Sequence, residues 1–179
     1  MGAGIVKRKC WLRSVEVSDA DLILEWVNDP MDRANSFSSD PITRDDHIVW
    51  LESALKNPAM RLYIMMLNDR SVGHIKLKID GESAEIGYCI APEWRGMGLA
   101  KVIVALAVEE AKAQLPEVKT LIAQVKPSNI ASSKALGACG YQQTMLQYEF
   151  DLDTFDDMNS ELTAIVDSAE GKAFESNTH

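Results

Sequence analysis

Two glycines flanked by positive charge form the stretch of this chain best suited to bind an anion. Arg95, Gly96, Gly98 and Lys101 lie within seven residues, after an alternating segment and before a long apolar one. Glycines have no Cβ to hold an anion off the backbone, and the first N–H groups of a helix are unpaired and partly positive. The spacing therefore predicts a strand, an anion-binding turn and a helix beginning near Leu99.

Other interpretations of this turn differ in how well they fit. A plain strand-to-helix connection stays open, because a Gly-x-Gly pair alone is a weak signal. The sequence has no Gly-x-x-x-x-Gly-Lys-Ser/Thr run, which excludes a P-loop. A dinucleotide fingerprint fits poorly because Lys101 occupies the place of the third glycine, and the preceding strand looks like the second arm of a hairpin. The remaining pattern is Arg-x-x-Gly-x-Ala, at residues 95–100.

A second motif downstream makes the pattern more specific. Residues 125–132 read VKPSNIAS, and Cys139-Gly140-Tyr141 follows them. In this order and spacing the two motifs resemble the GNAT superfamily of acetyl-CoA-dependent N-acetyltransferases, over residues 10–150. The resemblance implies an α/β (α+β) fold with a mixed, mostly antiparallel sheet of six to seven strands and flanking helices, splayed between strands four and five.

The resemblance also implies where acetyl-CoA would bind as co-substrate. Cys89, Ile90 and Ala91 of the fourth strand would lie along the pantetheine arm, with the amide of Asn129 near the thioester. A simpler role for Asn129 as a helix cap stays open. Ser132 shares the Asn-x-x-Ser motif and is included among the cofactor-binding residues. The implied pyrophosphate-binding residues are Arg95, Gly96, Met97, Gly98, Leu99, Ala100 and Lys101.

Catalysis in the family implies direct attack of a neutral amine on the thioester. Amides of the fourth strand would stabilise the oxyanion, and an acid would protonate the departing thiolate. Many relatives have a tyrosine acid in the helix after Asn129, but this chain has Leu136 there. The candidates are therefore Ser132, then Tyr141, for the acid, and Glu85, with His74 and His47 behind it, for the base.

The spacing of a predicted hairpin supports the choice of Glu85. A turn at Asp80-Gly81, of either two residues or four, would put Ile75 and Leu77 on the core face, and His74 and Glu85 together on the other face. We expect His74 and Glu85 to lie within reach of each other. The alternative is that Glu85 only forms a cross-strand pair with Lys76.

The acceptor is predicted from a narrower resemblance. Residues 33–42, with His47 and Trp50, look like acetyltransferases that act on nucleotide-linked amino sugars in pseudaminic-acid-type pathways. The predicted partner is thus a small-molecule amine, and the predicted substrate-binding residues are Arg33, Asn35, Ser36, Phe37, His47 and His74. The alternatives are an N-terminal acetyltransferase of ribosomal or other proteins, and a CoA-binding or interaction domain without turnover.

Composition narrows the class of protein further. The 179 residues suit one domain, and the net charge of −9 is concentrated in residues 151–179, where eight acids accompany one lysine. The nearly neutral remainder argues against nucleic acid as a partner. The three cysteines have no metal-binding or disulfide spacing, so we expect no metal and a cytoplasmic protein. No membrane span is expected, and the protein is expected to be a monomer or homodimer.

Composition, resemblance and periodicity each contribute to the predicted organisation. Composition predicts a flexible start at 1–9 and an acidic tail at 151–179, in which 161–175 has a helical pattern, and the resemblance implies an acetyltransferase domain over 10–150. Within the domain, Ser18 and Thr43 are expected to cap helices, and residues 32–41 to form a polar loop. Predicted strands are 10–17, 61–67, 71–79, 84–90, 119–125 and one or two over 142–150; predicted helices are 19–27, 43–56, 99–114 and 129–138.

Overall fold

A central sheet carries the residues of interest, and its strands follow each other in space as they do in sequence. The computed structural model describes residues 10–144. The strands are β1 Cys10–Ser14, β2 Met60–Leu67, β3 Arg70–Asp80, β4 Ser83–Ile90 and β5 Thr120–Ala123, in the order β1-β2-β3-β4-β5. The helices are α1 Ala20–Val27, α2 Pro30–Asn35, α3 Arg44–Lys56, α4 Leu99–Gln114 and α5 Ile130–Ala138.

Alternation along the central strands sorts side chains onto two buried faces. One face packs against α4, with Ile75 and Leu77 of β3 opposite Tyr88 and Ile86 of β4. The other face packs against α1 and α3 and includes Cys89. This confirms the predicted face assignment, because Ile75 and Leu77 are fully buried while Glu85 lies on the opposite side.

The sheet opens between its fourth and fifth strands, as predicted. β4 and β5 are parallel and pair only from Ser83↔Thr120 to Ile86↔Ala123. β5 then ends, whereas β4 continues to Ile90. Among residues 10–144, the last residues of β4 therefore pair with β3 on one side and with no strand on the other, so that this side is a free edge of the described sheet.

Backbone geometry identifies which groups face this free edge. The N–H of Ala91 donates to the carbonyl of Val72, at 3.0 Å, and hydrogen-bonded pairs alternate along an antiparallel ladder. Cys89 is thus bonded to β3, whereas the N–H and C=O groups of Tyr88 and Ile90 are directed toward the gap. Of the three residues predicted along the pantetheine arm, only Ile90 has an available group there, its N–H, because its carbonyl accepts from the Nε of Arg95 at 3.1 Å.

Several local predictions need correction. The residues after α1 form a further helix, α2, because the Asp29 carboxylate accepts from the N–H of Met31, at 3.0 Å, and Pro30 suits the first helical turn. A 3₁₀ turn, Val17–Asp19, precedes α1, so Ser18 is not its cap. Thr43 caps α3 as predicted.

The number of strands also differs from the expected six to seven. Residues 10–144 contain five, and the predicted strands at 142–150 lie almost entirely outside this range. The predicted start at 1–9 and acidic tail at 151–179 lie outside the described residues and remain predictions.

Candidate active site

The glycine turn has the geometry of an open anion cradle. Gly96 and Gly98 have φ values of 78° and 79°, the left-handed region that side chains disfavour, and nothing lies within 4 Å of a Cβ built at either position. Gly98 caps α4, whose first turn contains no acidic side chain. The turn therefore leaves space for an anion at a partly positive helix end.

The other residues predicted to bind the pyrophosphate differ in whether their backbone N–H or their side chain is available to it. The N–H of Lys101 bonds to the carbonyl of Gly98, at 3.2 Å, while its side chain is exposed. Leu99 and Ala100 pack their side chains on the core, so their N–H groups are what they can offer an anion. Met97 is 63 % exposed beside the turn. The four residues are thus compatible with the predicted phosphate site.

Arg95 has a different environment from the one predicted. Its guanidinium contacts the Asp29 carboxylate at 2.6 Å and the Asp32 carboxylate at 2.7 Å, and its Nε donates to the carbonyl of Ile90 at 3.1 Å. The side chain thus fastens the glycine turn and the end of β4 to α2. Its cofactor-binding role remains a prediction, because its guanidinium is already paired and its backbone N–H donates to the carbonyl of Pro92 at 3.3 Å.

The two carboxylates around Arg95 are not equivalent. Burial raises the pKa of Asp32 to about 6, although the Arg95 charge opposes the increase. Burial acts in the same direction on Asp29, but Arg95 and the N–H groups of α2 outweigh it and lower the pKa of that carboxyl group. One guanidinium therefore balances two carboxylates of which Asp32 is the more easily protonated.

Asn129 and Ser132 lie at the start of α5. The side-chain oxygen of Asn129 accepts from the N–H of Ser132, at 3.1 Å, so Asn129 caps the helix. This confirms the simpler reading of Asn129, and its amide nitrogen has no hydrogen-bond partner among residues 10–144. The hydroxyl of Ser132 lies 2.8 Å from that of Tyr88 on β4. The geometry places this pair beside the open edge of the sheet.

Tyr88 was not identified from the sequence as a candidate site residue. Alternation placed it on the core face of β4, where an apolar role is the ordinary expectation. Its hydroxyl contact with α5 depends on how that helix packs, over 44 residues of chain, and no local pattern encodes it. The sequence signal that could have identified Tyr88 as a site residue was its position, two residues before the end of β4.

Glu85 lies at the closed end of the gap. It pairs with Ile122 of β5, one residue before the last pair of the two strands, and its side chain is exposed. Its partner on β3 is Lys78, whereas His74 pairs with Cys89. Four residues of extended strand, about 13 Å, separate Cys89 from Glu85. The expected proximity of His74 and Glu85, and the alternative Lys76 pairing, are therefore both wrong.

His74 and His47 are buried on the α1 and α3 side of the sheet. His47 is 3 % exposed, stacks on Trp50 with ring centroids 5.7 Å apart, and has an Nε2 without a hydrogen-bond partner among residues 10–144. Burial lowers the pKa of both, that of His74 to about 4. Both are thus neutral at pH 7, and burial limits their access to substrate.

The buried His74 predicts acid sensitivity. In the unfolded chain this histidine becomes protonated below about pH 6.5, whereas in the folded protein its pKa is about 4. Between these two pH values only the unfolded chain binds the proton, so the free energy of unfolding decreases as pH decreases. At pH 5 this loss is about 2 kcal/mol. Replacing His74→Gln should remove most of it in urea unfolding at pH 7.5 and pH 5. An equal acid-induced loss in the variant would contradict the assignment.

Arg33 holds the segment after α2 instead of projecting into a site. Its Nε donates to the carbonyl of Val27 at 2.6 Å, and its other nitrogens donate to the carbonyls of Ser38 and Asp40 and to the hydroxyl of Ser36. The predicted substrate-binding role of Arg33 and Ser36 therefore loses support. Phe37 is 70 % exposed, and Asn35 is half-buried at the end of α2.

Tyr141, the second candidate acid, is in apolar surroundings. Its hydroxyl is buried without a hydrogen-bond partner among residues 10–144, and burial raises its pKa to about 12. Within the same residues, no cluster of three or more His, Cys, Asp or Glu could hold a metal. None of the helices there is both long and apolar enough to cross a membrane.

The fold and this site define the class of protein. The family model described as an acetyltransferase (GNAT) domain matches residues 9–142. The chain therefore belongs to the GNAT acetyltransferase family. It is an enzyme, an N-acetyltransferase with acetyl-CoA as donor, and the predicted fold class is confirmed.

Solved structures share the fold at low identity. Spermidine N-acetyltransferase from Vibrio cholerae, in complex with CoA and spermine, superposes with a TM-score of 0.72 at 22% identity, covering 81% of this chain and 88% of that one. Aminoglycoside acetyltransferase AAC(6')-Ib with coenzyme A has a TM-score of 0.66 at 23% identity, covering 75% and 85%. A domain from Methanocaldococcus jannaschii gives 0.69 at 21%, covering 79% and 93%. No curated protein matches the sequence.

Proposed function

We propose that this enzyme acetylates the primary amine of a small molecule, and that the acceptor is a nucleotide-linked amino sugar. The observation that supports a transfer site is the free edge of β4 between the glycine turn and Glu85. An anion held at the start of α4 lies beyond the end of β4. An extended arm that follows the free edge from there leads back toward Ile86, where the gap closes.

The residues along this path divide the chemistry between the two faces of the sheet. The N–H groups of Tyr88 and Ile90 are available to a thioester oxygen and would stabilise negative charge as it develops. Glu85 lies at the closed end on the α1 and α3 face and would accept a proton from the amine, directly or through water. Ser132 lies on the opposite face, next to Tyr88, where a departing thiolate would need a proton.

The choice of acceptor depends on groups near α2. A diphosphate needs cationic donors, but Arg33 is bonded within its own loop and Arg44 pairs with Asp21 at 2.7 Å. Lys126 is better placed, because its ammonium contacts the carbonyl of Ala34, at 2.9 Å, and keeps two further N–H donors. Phe37, three residues after Ala34 along the chain, has an exposed ring, and together with Lys126 it supports a nucleotide-linked acceptor.

An amine panel tests this proposal. CoA release should be measured with a UDP-linked 4-amino-4,6-dideoxy sugar, spermidine, an aminoglycoside and a peptide with a free N-terminus. We expect the nucleotide sugar to give the highest kcat/KM by at least tenfold. Efficient acetylation of the polyamine, the aminoglycoside or the peptide, without the sugar, would contradict the proposed acceptor and leave the family activity intact.

A lysine substitution provides the residue-level test. Replacing Lys126→Ala should raise the KM for the nucleotide sugar about tenfold, because one charge-assisted hydrogen bond is lost, and should leave the KM for acetyl-CoA unchanged. Lys112→Ala, in the last turn of α4, is the matched control. Equal acceptor KM values for the two variants would exclude Lys126 from the acceptor site. Arg33→Ala is a poor test because it also removes the bonds that order the loop.

A further inference from the structure

A tyrosine and a serine from distant parts of the chain form a hydroxyl pair at the open edge of the sheet. The hydroxyls of Tyr88 and Ser132 are 2.8 Å apart, and either can donate. Tyr88 belongs to the part of β4 that continues beyond β5, and Ser132 lies in the first turn of α5. Both side chains are half-buried, so neither is sealed in the core.

The Tyr88–Ser132 pair is a candidate for the general acid, a group that the expected position on α5 does not supply. Leu136, at the position where the acid would be expected, is 6% exposed and packs in the core, so α5 supplies no acid from that position. We infer that Tyr88 is the general acid of the transfer reaction and that Ser132 is its positioning partner. The inference rests on the acetyl-transfer site proposed above, and it concerns only which side chain protonates the thiolate.

The step balances without a further reactant. The amine nitrogen forms a bond to the acetyl carbon, the carbon–sulfur bond breaks, and its electron pair goes to sulfur. The Tyr88 hydroxyl transfers its proton to that sulfur, and Ser132 donates a hydrogen bond to the resulting phenolate. The proton lost by the amine passes through Glu85 or water to solvent, from which Tyr88 is protonated again.

The surroundings of Tyr88 suit both halves of this cycle. Burial raises the pKa of Tyr88, so the hydroxyl holds its proton at neutral pH, while the bond from Ser132 acts in the opposite direction by stabilising the phenolate. Tyr141 has no such partner among residues 10–144, and its phenolate would form in an apolar site. Of the two tyrosines, Tyr88 is therefore the better acid.

Single-turnover kinetics test the inference on the full-length enzyme. Tyr88→Phe should lower the rate of acetyl transfer about 100-fold, within the usual range for one general acid. Its calorimetric Kd for acetyl-CoA should stay within twofold, because the ring and the backbone of β4 are kept. Tyr63→Phe is the matched control, since Tyr63 is a buried tyrosine on the same face of the sheet, partnered by Glu110. Its rate should change less than twofold.

A double substitution shows whether the two hydroxyls act as one unit. Ser132→Ala should lower the rate about tenfold, and Tyr88→Phe with Ser132→Ala should be no slower than Tyr88→Phe alone. Multiplicative effects would assign Ser132 a separate role and overturn the pairing. A Tyr88→Phe rate equal to that of Tyr63→Phe overturns the acid assignment while the transfer site stands.

Two further outcomes separate this inference from the proposal beneath it. Loss of acetyl-CoA binding together with turnover in Tyr88→Phe would assign Tyr88 a structural role and overturn the inference. A wild-type enzyme that binds acetyl-CoA but acetylates other amines than the nucleotide sugar contradicts only the proposed acceptor, because the acid acts on the donor. Release of CoA at the same rate with and without every amine would overturn the proposed function, and the comparison of Tyr88→Phe with Tyr63→Phe would still decide the acid assignment.

Discussion

Replacing Gly98→Asp should reduce the affinity for acetyl-CoA at least 100-fold. The residue has φ 79°, so any side chain strains the turn by about 1–2 kcal/mol. The new Cβ would point into space that is empty in the protein alone, where the anion is expected. The aspartate charge would then repel the phosphates at short distance, in addition to the steric overlap.

A second glycine provides a matched control for this substitution. Gly81, in the turn between β3 and β4, has φ 55° and equally open surroundings, but lies at the other end of β4. Gly81→Asp should therefore show the backbone cost without the loss of binding. Equal calorimetric affinities of wild type and Gly98→Asp for acetyl-CoA would refute the assignment of the glycine turn.

Replacing Arg95→Ala should decrease both the free energy of unfolding and the affinity for acetyl-CoA. Asp29 and Asp32 would lose their shared cation while remaining close to each other. We expect a loss of about 2–3 kcal/mol, below the range for fully buried pairs because these side chains retain some solvent contact. The glycine turn would also lose its connection to α2, so cofactor affinity should fall about tenfold, the equivalent of one hydrogen bond.

Solution pH and an exposed arginine give this prediction two controls. Because the pKa of Asp32 is already about 6 in the folded wild type, Asp32 is largely neutral at pH 5, and the destabilisation should be smaller there than at pH 8. Arg44→Ala breaks an exposed pair with Asp21 and should lower the free energy of unfolding far less than Arg95→Ala in the same urea titration, because water and salt screen the exposed pair. Similar losses in both variants would show that the Arg95 network adds no stability.

Local chemistry made much of the fold predictable. Helix α4 was predicted at its observed bounds because Gly98 and Leu115-Pro116 both interrupt the helical pattern, one at each end. Strands β3 and β4 and their core faces followed from alternation alone. The helix α2 was missed because Pro30 both ends one helix and suits the first turn of another, and only the capping bond of Asp29 distinguishes the two.

Strand register was decided by the tertiary structure. The turn after β3 was predicted at Asp80-Gly81 with either two residues or four, and these lengths give registers that differ by two residues but share the same face assignments. The structure has the register of the longer turn, with Ile79 opposite Ala84, and Asp80 also pairs with Ser83. In this register His74 lies opposite Cys89, so the expected contact of His74 with Glu85 is absent while the predicted core is intact.

The sequence by itself determined the chemistry of the cofactor turn, because glycine spacing, helix start and backbone N–H groups are all local. Only the tertiary structure decided what the charged and hydroxyl side chains contact. Arg95 meets two carboxylates more than 60 residues away along the chain, and Tyr88 meets Ser132 across 44 residues. Such partners depend on how helices pack on the sheet, and long side chains reach whichever group that packing brings within hydrogen-bond distance.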